Sequence, residues 1–457
     1  MKRKVDLLNG NILSSLTELA VPIMATSLVQ MAYNLTDMAW IGRVGSGAVA
    51  SVGSAGMYTW LSTGVVMLAK MGGQVKVAQS LGAGKVKKAS QYGKGALQLA
   101  IVLAVLYGLI MNLFAPGLIG FFSLSDPEIV KDAIGYLRIA GGLILFSFLN
   151  QTFTSLFTAV GDSRTPFVAN VCGLACNMVL DPLLIFGIGG LPELGAEGAA
   201  AATVIAQSVV TLKLVISARK DKILFDKIHI FERTPIPYFQ TMMKIGFPSA
   251  VQETLYCGIS MILTRFVATW GDTAVAVQRV GGQIESISWM TAEGFGTAMN
   301  AFIGQNYGAG KWERMRKGYF TAFRMMIVWG LLTTAILVFA NEPIFRLFIT
   351  EEAVVPEGMD YLRIIGYGQM FMCLELMTVG AFAGMGKTLV SSCISITLTS
   401  ARVPLALLFG STALGLTGVW WALTVSSTLK GITFCTAFTF ILSRGIRRLR
   451  KNRAGEA

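Results

Sequence analysis

Long apolar stretches alternate with short polar ones along the whole chain. Gly95 to Ile119 carries no charge, and Pro166 to Phe186 carries only Asp181. About 20 mostly apolar residues make one helix that crosses a bilayer. The pattern predicts twelve such helices, over 14–40, 46–70, 93–118, 132–158, 166–188, 197–217, 239–268, 273–300, 318–340, 357–384, 389–411 and 415–443.

The pattern is also written twice. A shift of 226 residues carries Pro22 to Pro248, Gly45 to Gly271, Gln79 to Gln305 and Gly82-Ala83-Gly84-Lys85 to Gly308-Ala309-Gly310-Lys311. A shift of 225 carries Tyr136-Leu137-Arg138-Ile139 to Tyr361-Leu362-Arg363-Ile364 and Gly161 to Gly386. The expected division is an N-terminal six-helix bundle over 1–218, a linker over 219–238 with Pro235 and Pro237, a C-terminal bundle over 239–443 and a basic tail over 444–457. Six is even, so both halves enter the membrane from the same side. The expected fold is an all-α membrane protein of twelve transmembrane helices. Its two six-helix bundles are related by a pseudo-two-fold axis along the membrane normal, an arrangement common in transporters with a site between the halves.

Composition supports a membrane protein. Charged residues are 14% and mean hydropathy is +0.62, where soluble proteins carry about 25% charged residues. The 50 glycines suit helices that pack closely in lipid. Gly82-Ala83-Gly84-Lys85 lacks the spacing of a phosphate-binding loop and reads as a turn, as does its twin.

The net charge of +13 matters through its placement. Basic residues gather at Lys2-Arg3-Lys4, Lys85–Lys94, Arg219–Lys227, Lys311–Lys317 and Arg444–Arg453, while the alternate loops hold Asp126, Glu128, Glu342, Glu351 and Glu352. This asymmetry marks the cytoplasmic face. It puts both termini in the cytoplasm and argues against nucleic acid; the expected location is the cytoplasmic (inner) membrane of a prokaryote. Some of these cations also suit anionic lipid head groups. The first apolar run reads as a full span and not as a cleavable signal.

Catalytic chemistry is poorly provided for. The only histidine, His229, lies in a polar loop, and the six cysteines all fall in apolar segments. Cys172 and Cys176 share a helix face, but buried apolar side chains are the simpler reading. No nucleophile–base set stands out, so neither an enzyme nor a cofactor is expected.

Chemistry therefore concentrates in ionisable groups inside the membrane, which usually mark ion or substrate paths. Asp37 lies in the first predicted span. Asn177 and Asp181 lie in the fifth, four residues apart on one face. Pro182 follows Asp181 and leaves the carbonyl of Met178 without its helical donor. Carboxylates and a freed carbonyl suit a hard cation such as Na+, and a carboxyl can instead take up a proton. The second half does not repeat these acids. It holds Glu253 in span seven and Glu375 in span ten, the latter opposite Asn150 in the repeat, with Glu285, Glu293, Arg279 and Arg402 ranked below them.

In this order the residues resemble the multidrug and toxic compound extrusion (MATE) family. Carrying the resemblance are Val21-Pro22, Asp37-Met38-Ala39-Trp40-Ile41-Gly42-Arg43, Gly82-Ala83-Gly84-Lys85, Gly161-Asp162-Ser163-Arg164-Thr165-Pro166 and Leu191-Pro192-Glu193-Leu194-Gly195 with Gly198 and Ala202-Thr203. The resemblance implies a V-shaped pair of bundles. It also implies exchange of inward-moving protons or sodium for outward-moving organic cations and drugs. The cation site it implies falls on Asp37, Asn177, Asp181 and Thr203. It implies second-half roles for Glu253 and Gln278, whereas Met372 stands where some members carry an aspartate. The expected partners are small organic cations and membrane lipids, and the chain is expected to act as a monomer. The alternative is a flippase of lipid or lipid-linked oligosaccharide. A channel is disfavoured because channels repeat identical filter elements and these halves differ in their polar residues.

Overall fold

The computed structural model describes residues 4–455 apart from 123, 125, 189, 191 and 350. Lys2 and Arg3 of the basic start and Leu191 of the motif above lie outside the described residues. Every regular element among the described residues is helical. The twelve long helical units are α1 (Ile12–Val44), α2 (Ser46–Gly82), α3 (Val86–Leu113), α4 (Pro127–Tyr136, Leu137–Gly141 and Leu145–Val160), α5 (Arg164–Ile185), α6 (Gly195–Arg219), α7 (Ile236–Val267), α8 (Asp272–Gly308), α9 (Trp312–Phe339), α10 (Val355–Gly384), α11 (Thr388–Ser400 and Arg402–Gly410) and α12 (Leu416–Gly455).

Each expected span has its helix. Eight are long and apolar enough to cross a membrane, and α4 makes a ninth if its two parts, bent by 41°, count as one. The other three, α2, α7 and α8, have 37, 32 and 37 residues. They are long enough but more polar, with Lys70 and Lys76, Glu253 and Arg265, and Arg279, Glu285 and Glu293 respectively. The last helix runs on into the tail that composition set apart as a separate basic segment.

The repeated motifs do repeated structural work. Gly84 and Gly310 adopt φ of 71° and 67°, a left-handed conformation that glycine takes without penalty. In both turns the following lysine amide reaches back to the helix it leaves, Lys85 to the Ser80 carbonyl and Lys311 to that of Asn306, each at 2.9 Å. This closes the helix end. Glycine has a second use between helices. A Cβ on Gly108 would lie 2.6 Å from the Gly142 carbonyl, so α3 and α4 approach backbone to backbone, as small residues permit in lipid.

The chain forms two compact units, one centred on Ala25–Ala250 and the other joining Val5–Met24 to Val251–Ala457. The unit boundaries thus fall within α1 and α7, near Pro22 and Pro248. In the first unit α2 packs on α3 and α4, and α5 on α6. Its core includes Phe148, Leu156, Phe157 and Leu214. In the second unit α10 is central, against α8, α9 and α12. Buried Phe295, Phe302, Tyr319, Phe382 and Phe438 fill one end and Trp420 with Tyr361 the other.

Segments outside the helices are also tied down. In the second unit residues 5–10 are held by side chains of α8, α9 and the turn between them. Asn306 donates to the Leu7 carbonyl at 3.0 Å, Lys311 to that of Leu8 at 3.1 Å and Arg314 to that of Gly10 at 2.6 Å. Asp6 orders this segment by accepting from the Leu8 and Asn9 amides, both at 2.9 Å. The Asn9 amide is the main cause holding its carboxyl below the ordinary 3.8. A depressed carboxylate stabilises the ordered form above its unfolded pKa and loses that effect as pH falls through the folded one. Protection of the Leu8 and Asn9 amides, relative to exchange of the unfolded chain at the same pH, should therefore be high at neutral pH, fall below about pH 4, and in Asp6→Ala be low at both.

Candidate functional site

The first unit gathers the acids that the sequence singles out. Helical spacing sets Asn177 one turn before Asp181 on α5, both fully buried, and the Asn177 amide donates to Asp181 Oδ1 at 2.9 Å. Asp37 of α1 lies within electrostatic reach of Asp181. Tyr33 and Tyr136 lie within reach of both acids, and Thr203 of α6 neighbours Tyr33. Five buried oxygens of this group have no hydrogen-bond partner: Tyr33 Oη, Asp37 Oδ1, Asn177 Oδ1, Asp181 Oδ2 and Thr203 Oγ1. Buried acceptors are ordinarily paired. Five unpaired oxygens, two of them from carboxylates, make a site suited to a hard cation, which takes oxygen ligands, or to protons. Among the described residues no three His, Cys, Asp or Glu side chains group as metal ligands, so a many-carboxylate divalent cage is not what this site resembles. Cys172 and Cys176 are free.

The second unit is built differently. Glu375 of α10 forms an ion pair with Lys430 of α12 at 2.8 Å, the two side chains only 6% and 5% exposed. Gln369 donates to Glu285 at 3.1 Å, and Arg402 donates to Ser426 and Ser427 at 3.2 and 3.1 Å. Glu253 is within electrostatic reach of Tyr256 and Cys257, and Gln278 Oε1 is buried without a hydrogen-bond partner. Arg279 and Glu293 are exposed. Asn150 stands apart from this group. It lies in the first unit, donates to the Gln207 carbonyl at 2.9 Å and accepts from Thr211 at 2.7 Å, fastening α4 to α6.

Three residues escaped the sequence reading. Tyr33 and Tyr136 look like any apolar-span tyrosine, though Tyr33 lies four residues before Asp37, on the same helix face. Lys430 gave a clearer signal, since a lysine inside an apolar span marks a functional candidate by default.

The duplication has a simple explanation. The MatE family model matches residues 22–183 and, a second time, residues 248–408. The chain belongs to the MATE family. The two matches begin at Pro22 and Pro248, the first pair of repeated positions. This MATE chain is 28% identical to the probable multidrug resistance protein NorM of Thermotoga maritima, over 92% of this chain and 91% of that one. It is 24% identical to the FAD transporter of Shewanella oneidensis, over 94% and 95%. A solved MATE structure in complex with MaL6 superposes with a TM-score of 0.90 at 23% identity, covering 98% of this chain and all of the other. An outward-facing multidrug resistance MATE transporter gives 0.89, also at 23%, over 97% and 99%. These likenesses establish the twelve-helix MATE fold for this all-α membrane protein.

Proposed function

We propose that this MATE protein is a secondary antiporter of a prokaryotic cytoplasmic membrane. It exports cationic or amphipathic drugs and toxic organic compounds in exchange for protons or sodium, with both termini cytoplasmic. The observation that carries the coupling reading is the set of unpartnered oxygens on Tyr33, Asp37, Asn177, Asp181 and Thr203. The multidrug relative supports the drug-export reading. An ion entering this site satisfies those oxygens in one conformation better than in the other. Binding shifts a conformational equilibrium only by that difference in affinity. If the cargo prefers the opposite conformation, each weakens the grip on the other, and linkage makes the effect reciprocal.

The test is efflux of a fluorescent organic cation from reconstituted vesicles, with a proton gradient and a sodium gradient imposed separately. Efflux driven by one of them identifies the coupling ion, and efflux under neither overturns the antiporter reading. A second reading is an anionic amphipathic cargo or a lipid flippase. It is favoured by Arg402, which lies in the second unit bonded to serine hydroxyls and, among the described residues, in no ion pair. The relative named as an FAD transporter is of that kind. Competition of an anionic dinucleotide against the organic cation in the same vesicles separates the two readings.

A further inference from the structure

The repeat leaves the two units unequal at the ends of their basic turns. In the second unit Lys311 and Arg314 are occupied. They donate to the carbonyls of Leu7, Leu8 and Gly10 and to the Asn9 side chain. The shift of 226 carries Lys85 to Lys311 and Lys88 to Arg314, so the first unit offers the same cations at the same turn. Its own preceding segment docks elsewhere, farther along α3. There Glu232 pairs with Lys94 at 3.2 Å, and Gln98 donates to the carbonyls of Ile230 and Glu232.

What remains beside the turn is a cavity of about 710 Å³. Lys87, Lys88, Ser90 and Gln91 line it from α3, Lys227 and His229 from the 221–238 segment, and Tyr238 from α7, with Asp226 as its one carboxylate. Among the described residues none of its three lysines has a carboxylate within ion-pair distance. Lys87 and Lys88 sit in the first turn of a 28-residue helix whose N-cap, Lys85, provides no side-chain cap. That turn carries unpaired backbone amides and the positive end of the helix dipole. Cations there are unfavourable unless an anion offsets them. The wall is rigid on one side, where Tyr238 packs edge-on against Tyr92 with centroids 4.7 Å apart. Tyrosines with an apolar body and a polar tip are typical of the membrane–water interface.

We propose that this cavity binds a phosphate group, carried by an anionic lipid head group or by a phosphate-bearing solute. In the second unit the equivalent cations bind oxygen acceptors supplied by the chain itself. In the first unit phosphate oxygens supply them. Nothing in this site touches the Asp37–Asp181 cluster, so the assignment stands or falls separately from the transport reading.

The experiment measures thermal unfolding of the purified full-length protein in detergent. The probes are phosphatidylglycerol, phosphatidylcholine at equal concentration, and inorganic phosphate. The expected result is stabilisation by phosphatidylglycerol over phosphatidylcholine. It should weaken at high salt and need about fivefold more lipid for each lysine removed in Lys88→Gln and Lys88→Gln/Lys227→Gln. Lys317→Gln, an exposed lysine on α9, should leave the response unchanged. Stabilisation by inorganic phosphate alone, lost in the same variants, identifies a soluble source. Its absence alongside a lipid response identifies the lipid. The assignment is overturned if neither probe stabilises the protein, or if the double variant responds as the native protein does. Glutamine keeps the length and polarity of the side chain, so a folding defect is not the expected outcome.

Discussion

Cells producing the Asp37→Asn protein should be as sensitive to organic cations as cells with no transporter, while the protein accumulates in the membrane at native levels. Asparagine keeps the shape of the carboxyl and one of its oxygens but cannot take up a proton, and it removes the charge that attracts a metal cation. Asp181→Asn should behave the same way, because Asp181 shares the site and is fully buried. Thr203→Val removes one neutral oxygen and should cost several-fold in efflux without abolishing it. Stability separates this result from simple damage. Taking a carboxylate out of water carries a desolvation cost that a neutral amide largely avoids, so Asp37→Asn should unfold at a temperature equal to or above that of the native protein. Loss of function with no loss of stability marks a residue kept for its chemistry. Native-level efflux from Asp37→Asn would overturn the coupling role assigned to this cluster.

How far the sequence carries depends on whether the deciding contact is local. Helix existence was legible because lipid leaves no other way to satisfy the backbone of a long apolar run. The turns at Gly84 and Gly310 were legible because their geometry is set within five residues. Local identity alone does not suffice, as one tetrapeptide demonstrates. Tyr-Leu-Arg-Ile occurs at 136–139 and at 361–364. In α4 it leads into a π-helical turn over Leu137–Gly141, whereas in α10 it lies in regular α-helix. The first copy is followed by Gly141-Gly142, which packs against Gly108, and such turns often appear where a helix adapts to a neighbour. The pairing of Asn177 with Asp181 was readable from a spacing of four. The oxygens of Asp37 and Thr203 join them only through tertiary packing. In the sequence Asp37 stands out as an ionisable group inside a span, and Thr203 enters only through family resemblance. Glu375 is singled out without its partner, because Lys430 lies 55 residues away, beyond anything spacing can reveal.

That pair carries the second large effect. Lys430→Met should lower stability by about 3–5 kcal/mol, because removing one partner leaves the other charge buried without compensation. For a unit of this size the unfolding temperature should fall by roughly 10 °C. Glu375→Gln should have a similar cost, since Lys430 then keeps its charge with no carboxylate at 2.8 Å. The double variant Glu375→Gln/Lys430→Met should recover most of the loss, because a neutral pair of similar volume has little desolvation to repay. The coupling read from this cycle isolates the pair from the individual substitutions. If Lys430→Met unfolds at the native temperature, Glu375 is not held by Lys430 in the membrane-embedded protein and becomes available as a free acid of the second unit. If the double variant is stable but no longer transports, the pair changes partners during the cycle. If it is stable and transports normally, the second unit is charge-neutralised at this position, and ion coupling rests with Asp37 and Asp181 in the first.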